Sequence, residues 1–561
     1  MSELDASRAV MTGSTPGTEP PAGAGEAGGA TPPPPVGGTA VSSAGIARAA
    51  GINSLGNVAS RVLGLVRETV VAGTFGVSGA TSAFDAVSNV PKMVYELLIG
   101  GMLSAALVPV LSEYATEERK EELERIVSIL LSLSGVVLLA VVVLLQLAAP
   151  WIAPMLLVGF DDELLAVATR LVRIIVPAIF IYGISGILQA YHYSRQRFVY
   201  PAMGAPAHNL GVIVAVLLLA RRLDIYSLSV SILVAAATQL LVQLPGLRGT
   251  RLTFRLDWRH PVVRRILHLY APVVLSIIVQ NVGIIIDRNL ASRTVAEAIT
   301  WMTKATFLIQ LPLGLVSMAI SLAVLPALSQ IDAREELDRF KRTFSTGLRL
   351  VLVVIIPAAV GLLVLGRPLI RLIFEHGAFT PDDTAMSWRA LQLYLLGLPF
   401  AAIDLPLVFA FYAQKDTVTP VLVGVVAVAI YLIVGPALTF WLGWSFFGLV
   451  LANSIQWVGH AVIMLVLFGR RFEGLGGYGL LTTTLKALVA SAPVALLGYG
   501  GYALLAGITP DGLMGEALRV AVSATLSVVG YLAVARALRL HELDMLWNVV
   551  RRRLGSGRSA D

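Results

Sequence analysis

After residue 50 the chain is an almost continuous succession of apolar runs, several of them long enough to cross a lipid bilayer, and this limits the fold more than any single motif does. Ile126 to Leu145, Val212 to Ala220, Leu350 to Leu365 and Pro420 to Leu442 are examples. Over 561 residues, 56% apolar and 14% charged, the mean hydropathy of +0.79 lies far from the balance of soluble globular chains. The expectation is an all-α polytopic membrane protein with no room for a soluble catalytic domain.

The runs predict about fourteen transmembrane helices, near 52–75, 83–112, 126–150, 164–191, 201–220, 225–245, 263–290, 297–328, 344–366, 386–413, 418–441, 444–468, 482–506 and 513–538. The first, second, seventh and eighth carry charges, so hydropathy alone undercounts them. Residues 1–45, rich in Pro, Gly, Ala, Ser and Thr with no signal-peptide core, are expected to form a disordered tail. Residues 541–561 form a basic tail.

Lys and Arg crowd the even-numbered connections: Arg119, Lys120, Arg125, Arg195, Arg197, the six arginines from Arg248 to Arg265, Arg334, Arg339, Lys341, Arg342, Lys415, Arg470 and Arg471. The odd connections offer chiefly Arg221, Arg222, Arg293, Arg367 and Arg371. The positive-inside rule then places both termini in the cytoplasm.

An internal repeat is visible. Leu107-Val-Pro-Val-Leu-Ser112, followed by a charged stretch and an apolar span, returns 217 residues later as Val324-Leu-Pro-Ala-Leu-Ser329. Pro150-Trp-Ile-Ala-Pro-Met corresponds to Pro368-Leu-Ile-Arg-Leu-Ile, and Ala190-Tyr-His-Tyr to Ala410-Phe-Tyr-Ala. Six spans separate corresponding points, so the copies keep one orientation. Two six-helix lobes, 50–245 and 263–468, are expected about an axis along the membrane normal, with a substrate pathway between them. Two further helices lie within 482–540.

Other classes recede. The chain has no cysteine, its seven histidines are scattered, and neither an H-E-x-x-H pair nor a Walker A motif is present. The net charge of +7 is topological, so nucleic acid is not an expected partner.

Charges within apolar spans are the functional candidates, because a bilayer tolerates them only facing a bundle interior or a wet cavity. The first span carries Arg61, Arg67 and Glu68. At 100° per residue Arg61 and Glu68 share a face, which lets them pair and leaves Arg67 free for ligand, the alternative for Arg67 being a structural partner of Glu68. Lys92 and Glu96 are spaced for an internal pair. Asp85, Asp287, Arg288, Lys304 and Asp404 also point to an interior, Arg170 and Arg173 to a helix end, and Asn453, Gln456 and His460 to interhelical hydrogen bonding. Arginine in a wet cleft suits pyrophosphate, since guanidinium forks bind phosphate oxygens bidentately and keep their charge. A cationic drug exporter requires the opposite sign.

Ser60-Arg-Val-Leu-Gly-Leu-Val-Arg-Glu68, Asn89-Val-Pro91, Gly101-Met-Leu-Ser-Ala-Ala-Leu-Val-Pro-Val-Leu-Ser-Glu-Tyr114, Ile286-Asp-Arg-Asn-Leu-Ala-Ser292, Leu311-Pro-Leu-Gly314, Phe374-Glu-His-Gly-Ala-Phe-Thr380 and Phe411-Tyr-Ala-Gln-Lys-Asp-Thr-Val-Thr-Pro420 occur in one order. Together they resemble the MurJ (MviN) lipid II flippases over roughly residues 50 to 540. The resemblance implies the multidrug/oligosaccharidyl-lipid/polysaccharide exporter fold, alternating access in the bacterial cytoplasmic membrane, and a lipid-tail groove formed by the last two helices. It implies lipid II, membrane lipids and other cell-wall synthesis proteins as partners, and it matches Arg61 and Arg67 to the family's first-helix arginines, with Glu68 beside them.

The chain departs from the family pattern at Ser82, where many members have an acid, and at Tyr95 and Phe307, where they have arginines. Lys304, three residues from Phe307, is expected to replace the missing arginine or else to snorkel to the outer interface. Asp287 is expected to hold a coupling sodium ion or proton, or to pair with Arg288 or a neighbouring helix; no other cofactor is expected. Three further readings stay open: a flippase for another polyprenyl-linked oligosaccharide, a cation-coupled drug exporter, and a non-transporting cell-wall scaffold.

Overall fold

The computed structural model describes residues 43–100 and 102–545, so the N-terminal tail up to residue 42 and the basic tail from residue 546 lie outside it. Residues 1–49 and 50–561 are separate units, and the second contains the membrane-spanning body. No strand occurs among the described residues.

Eleven helical segments there are long and apolar enough to span a bilayer: Lys120–Leu156, Asp162–Ser194, Val199–Leu223, Tyr226–Leu247, Ala298–Ser329, Leu337–Phe374, Pro381–Ala413, Val418–Trp441, Phe446–Arg471, Leu480–Ala506 and Leu513–Ala537. Three other expected spans are also helical: Ser43–Phe75, the segments 79–100 and 102–112, and Pro261–Ser292. They hold Arg61, Arg67, Glu68, Asp85, Lys92, Asp287 and Arg288. The eighth expected span, which contains Lys304, is apolar enough despite its charge.

Duplication is evident in the helix boundaries. Lys120–Leu156 and Leu337–Phe374 start 217 residues apart. A π-helical turn at Glu96–Gly100 has its counterpart at Leu313–Ser317, at the same offset. A π turn inserts a residue into the helical ladder and re-aims the side chains beyond it, often at functional positions. The two C-terminal helices pack on Leu337–Phe374, where Tyr531 Oη donates to the carbonyl of Val353 (2.5 Å).

The two halves of the sequence, 50–245 and 263–468, the lobes of the expected duplication, meet where the odd connections lie. Gly73 and Gly377 (φ +57°) approach so closely that a Cβ on Gly377 would lie 2.1 Å from the Gly73 carbonyl oxygen, and the Ala378 N–H donates to that oxygen (2.9 Å). Gly76 (φ +59°) completes this turn against Ala378. Only glycine meets both demands, a left-handed backbone and no side chain. Two capping boxes, Ser78 with Thr81 and Thr380 with Asp383, start the helices leaving this junction. Ser82 Oγ lies 3.2 Å from Thr300 Oγ1, and the Gly159 N–H donates to Ser292 Oγ (3.3 Å). At the opposite end Pro261–Ser292 leans on the first lobe: Arg265 grips Glu113 with two 2.7 Å bonds and the Tyr270 hydroxyl donates to the Leu97 carbonyl.

Candidate functional site

Between the lobes lie two chambers with a shared wall. The first, about 450 Å3, is lined by four cations, Arg67, Lys92, Arg288 and Lys304, against two carboxylates, Glu68 and Asp85. Asn89, Lys92 and Arg288 also line the second, about 730 Å3, on the side of the second lobe.

Glu68 organises the first chamber. Its Oε1 accepts from Arg67 (2.7 Å) and its Oε2 from the Lys304 ammonium (2.8 Å), which joins the lobes. Arg67 also donates to Asn209 Oδ1 (3.0 Å), and Asn209 donates to the Ser60 carbonyl (3.0 Å), fastening the first helix to Val199–Leu223. The expected pairing of Arg61 with Glu68 and a free Arg67 is therefore corrected. Face-sharing on one helix ignored Lys304, which arrives from the other lobe and claims the carboxylate, while Arg67 folds back onto it. Two of Arg67's five N–H donors are spent in this way, and the side chain stays 29% exposed toward the chamber.

Arg61 lines neither chamber. It is exposed, two turns from Arg67 on the side away from the lobe junction, with its guanidinium beside Gly314, where an added Cβ would stand 3.2 Å from Nη2. Lys304 does not snorkel: it is buried six residues into its helix and its ammonium lies 5.6 Å from the centre of the Phe374 ring. Phe307 stacks edge-on against that same ring (6.1 Å). Lys92 does not pair with Glu96. It is exposed to both chambers, just before the helix widens into its π turn.

Arg288 reaches both chambers, with a buried Nε that has no hydrogen-bond partner, and Asp85 likewise presents an unpartnered Oδ2 in the first chamber. Asp287 accepts from the Tyr431 hydroxyl (2.5 Å), while its other oxygen is 3.9 Å from Arg288, a loose contact rather than a tight pair. In the second chamber His460 bonds Asp404 across helices, and Asn453 and Gln456 complete a polar wall. Arg170 and Arg173 are exposed and line neither chamber.

The three departures are neutral and mutually compatible. Ser82 meets Thr300, Tyr95 packs on Tyr182 (ring centres 6.0 Å apart), whose hydroxyl bonds His208 (2.7 Å), and Phe307 sits in an aromatic pair. Tyr182, His208 and Asn209 were not anticipated from the sequence. They lie in apolar stretches where one polar side chain carries little signal, although Asn209 and His208 are adjacent in an otherwise non-polar span.

The family model described as Lipid II flippase MurJ matches residues 71–522. A lipid II flippase MurJ of Burkholderia cenocepacia is 29% identical over 65% of this chain and 73% of its own length. Probable lipid II flippases MurJ of Vibrio cholerae (27% identical, 78% of this chain, 84% of the relative) and Thermotoga maritima (29%, 73% and 83%) are similar. A solved lipid II flippase MurJ in an inward closed conformation superposes with a TM-score of 0.71 at 23% identity, over 87% of this chain and 99% of that one. An inward-facing multidrug resistance MATE family transporter of the MOP superfamily shares the fold at a TM-score of 0.63 and 12% identity, over 74% and 95%. With the family match extending over most of its length, this chain belongs to the lipid II flippase MurJ family.

Proposed function

We infer that the chain translocates lipid II across the bacterial cytoplasmic membrane as a non-enzymatic flippase. The observation that carries this reading is the cationic excess of the first chamber, in a chain of this family. A diphosphate is a compact multiple anion, and convergent guanidinium and ammonium donors in a cleft recognise it. A drug exporter for organic cations is disfavoured by the same charges. The lobes touch beside the odd connections, and rocking them about that junction would carry a headgroup from one side to the other.

The positive-inside pattern supports placing both termini in the cytoplasm and the junction on the outer side. The substrate-contacting groups are Arg67, Arg288 and Lys304, with Glu68 holding two of them in place, while Arg61 stands outside the chamber beside Gly314. The two C-terminal helices would receive the polyprenyl tail, and other cell-wall synthesis proteins would be its functional neighbours. The test is complementation of a flippase-depleted bacterium together with an assay of outward-exposed lipid II. Growth with restored exposure is expected; growth without it, or restored export of a different polyprenyl-linked glycan, overturns the substrate.

Asp287 is the proposed coupling-ion ligand, for sodium or a proton. One of its oxygens is held by Tyr431, while the other faces Arg288 too loosely to be neutralised by it. Moving one charge across a potential of about 100 mV is worth roughly 2.3 kcal/mol, equivalent to a gradient of about 50-fold. Asp287→Asn should lose up to that much driven accumulation while still binding substrate. Transport by this variant that keeps its full dependence on sodium or potential removes Asp287 from coupling.

A further inference from the structure

Between Tyr226–Leu247 and Pro261–Ser292 the chain passes through an extended segment, residues 251–257, fastened lengthwise to the Lys120–Leu156 helix. The backbone N–H groups of Arg251, Thr253 and Arg255 donate to Glu124 Oε2 (3.0 Å), Ser128 Oγ (3.1 Å) and Ser132 Oγ (2.9 Å). The acceptors are four residues apart on a helix, about 6 Å per step. The donors are two residues apart on extended chain, about 6.6 Å per step. Strap and helix therefore keep register over three bonds. The polar stripe beneath is buried, to 7%, 1% and 7% exposure for Glu124, Ser128 and Ser132.

With its backbone held, the strap must alternate its side chains. Leu252 turns to the core cluster that contains Leu123, Ile126 and Val127. Phe254 and Leu256 share its parity but find no cover, at 73% and 54% exposure, and Trp258 in the turn that follows is 68% exposed. Arg251 and Arg255 take the other parity, Arg259 follows in the turn, all three are exposed, and none has a carboxylate partner among the described residues. The Arg259 guanidinium stands over the Trp258 ring at 4.9 Å.

The strap sits where its helix changes character. Lys120, Glu121 and Glu122 begin that helix, and just beyond Ser132 it exposes Val136, Val137 and Leu139, an apolar face suited to acyl chains. A charged helix start giving way to an apolar face is what the headgroup layer meets, and there rings with one wet edge and snorkelling cations settle.

We propose that the strap 251–259 is a membrane-interface anchor that binds anionic lipid headgroups: Phe254, Leu256 and Trp258 enter the upper acyl region, and Arg251, Arg255 and Arg259 bind the phosphates. Its occupant is the bilayer surface. Cations and bare rings alternate along one backbone, and unpaired guanidinium groups complement an anionic leaflet.

The test uses the full chain in nanodiscs of phosphatidylcholine alone or in an equimolar mixture with phosphatidylglycerol. Two readouts are taken: association of spin-labelled phosphatidylglycerol relative to spin-labelled phosphatidylcholine, and quenching by lipids brominated high on the acyl chain of the fluorescence difference between parent and Trp258→Phe. A preference for the anionic lipid and quenching of the Trp258 signal are expected. In the combined R251Q, R255Q and R259Q variant the preference should fall about fivefold for each arginine removed. Glutamine keeps the backbone N–H donors, so unchanged thermal unfolding in phosphatidylcholine shows that the strap remains seated. Equal association of the two lipids by the parent overturns the proposal. So does Trp258 that bromolipids do not reach, the result expected of a surface that docks a protein.

Discussion

Arg67→Ala should abolish complementation with insertion and folding intact, and Arg67→Lys should keep a fraction. The structural cost is confined to Asn209 Oδ1, which loses its 3.0 Å donor. Glu68 keeps its 2.8 Å bond to Lys304 when Arg67 is removed, so no buried carboxylate is orphaned. What is lost is the guanidinium whose unspent donors face the first chamber from beside Asn209. A charge-assisted hydrogen bond is worth about 1.5–3 kcal/mol, so the variant should lose roughly 10- to 150-fold in flipping rate at matched membrane abundance. Lysine supplies the charge without the fork and should fall between. Outward exposure of lipid II, measured alongside protein level, checks this. A normally inserted Arg67→Ala protein that flips at the parent rate would remove Arg67 from the diphosphate site.

The helices and their duplication were readable because both rest on local or periodic signals. Apolar runs of fixed length report spans, and the Leu107–Ser112 and Val324–Ser329 match foretold the 217-residue offset that the π turns at Glu96 and Leu313 reproduce. Local pattern did not reveal the turns themselves, which re-aim the second and eighth spans. Nor could it choose the partner of Glu68. Helix geometry places Arg61 on its face, but the partner that reaches it is 236 residues away on another lobe. The same blindness applies to Ser82, whose neutral contact with Thr300 spans 218 residues and shows the missing acid to be a re-paired junction rather than a gap in a charged site.

Lys304→Met should both destabilise the protein and stop transport, and a second substitution separates the two effects. Lys304 is 2% exposed, and its ammonium is the only group of the second lobe bonded to Glu68 among the described residues. Removing one member of a buried pair leaves the other uncompensated and typically costs about 3–5 kcal/mol; the lower end applies here because Arg67 remains 2.7 Å from the same carboxylate. Replacing both partners is often close to neutral, so Glu68→Gln added to Lys304→Met should recover most of the unfolding temperature. It should not recover flipping, because the chamber still lacks the Lys304 ammonium, one of its four cations. Lys304→Arg should preserve both properties. Phe307→Arg added to Lys304→Met should restore transport in part, since Phe307 and Lys304 lie against the same Phe374 ring and an arginine at 307 can carry its charge to the place the ammonium left. Thermal unfolding of the purified variants and lipid II exposure at matched abundance separate stability from transport. If the Glu68→Gln, Lys304→Met protein flips at the parent rate, the pair is a structural tie between lobes, and diphosphate recognition rests on the other chamber cations, Arg67, Lys92 and Arg288.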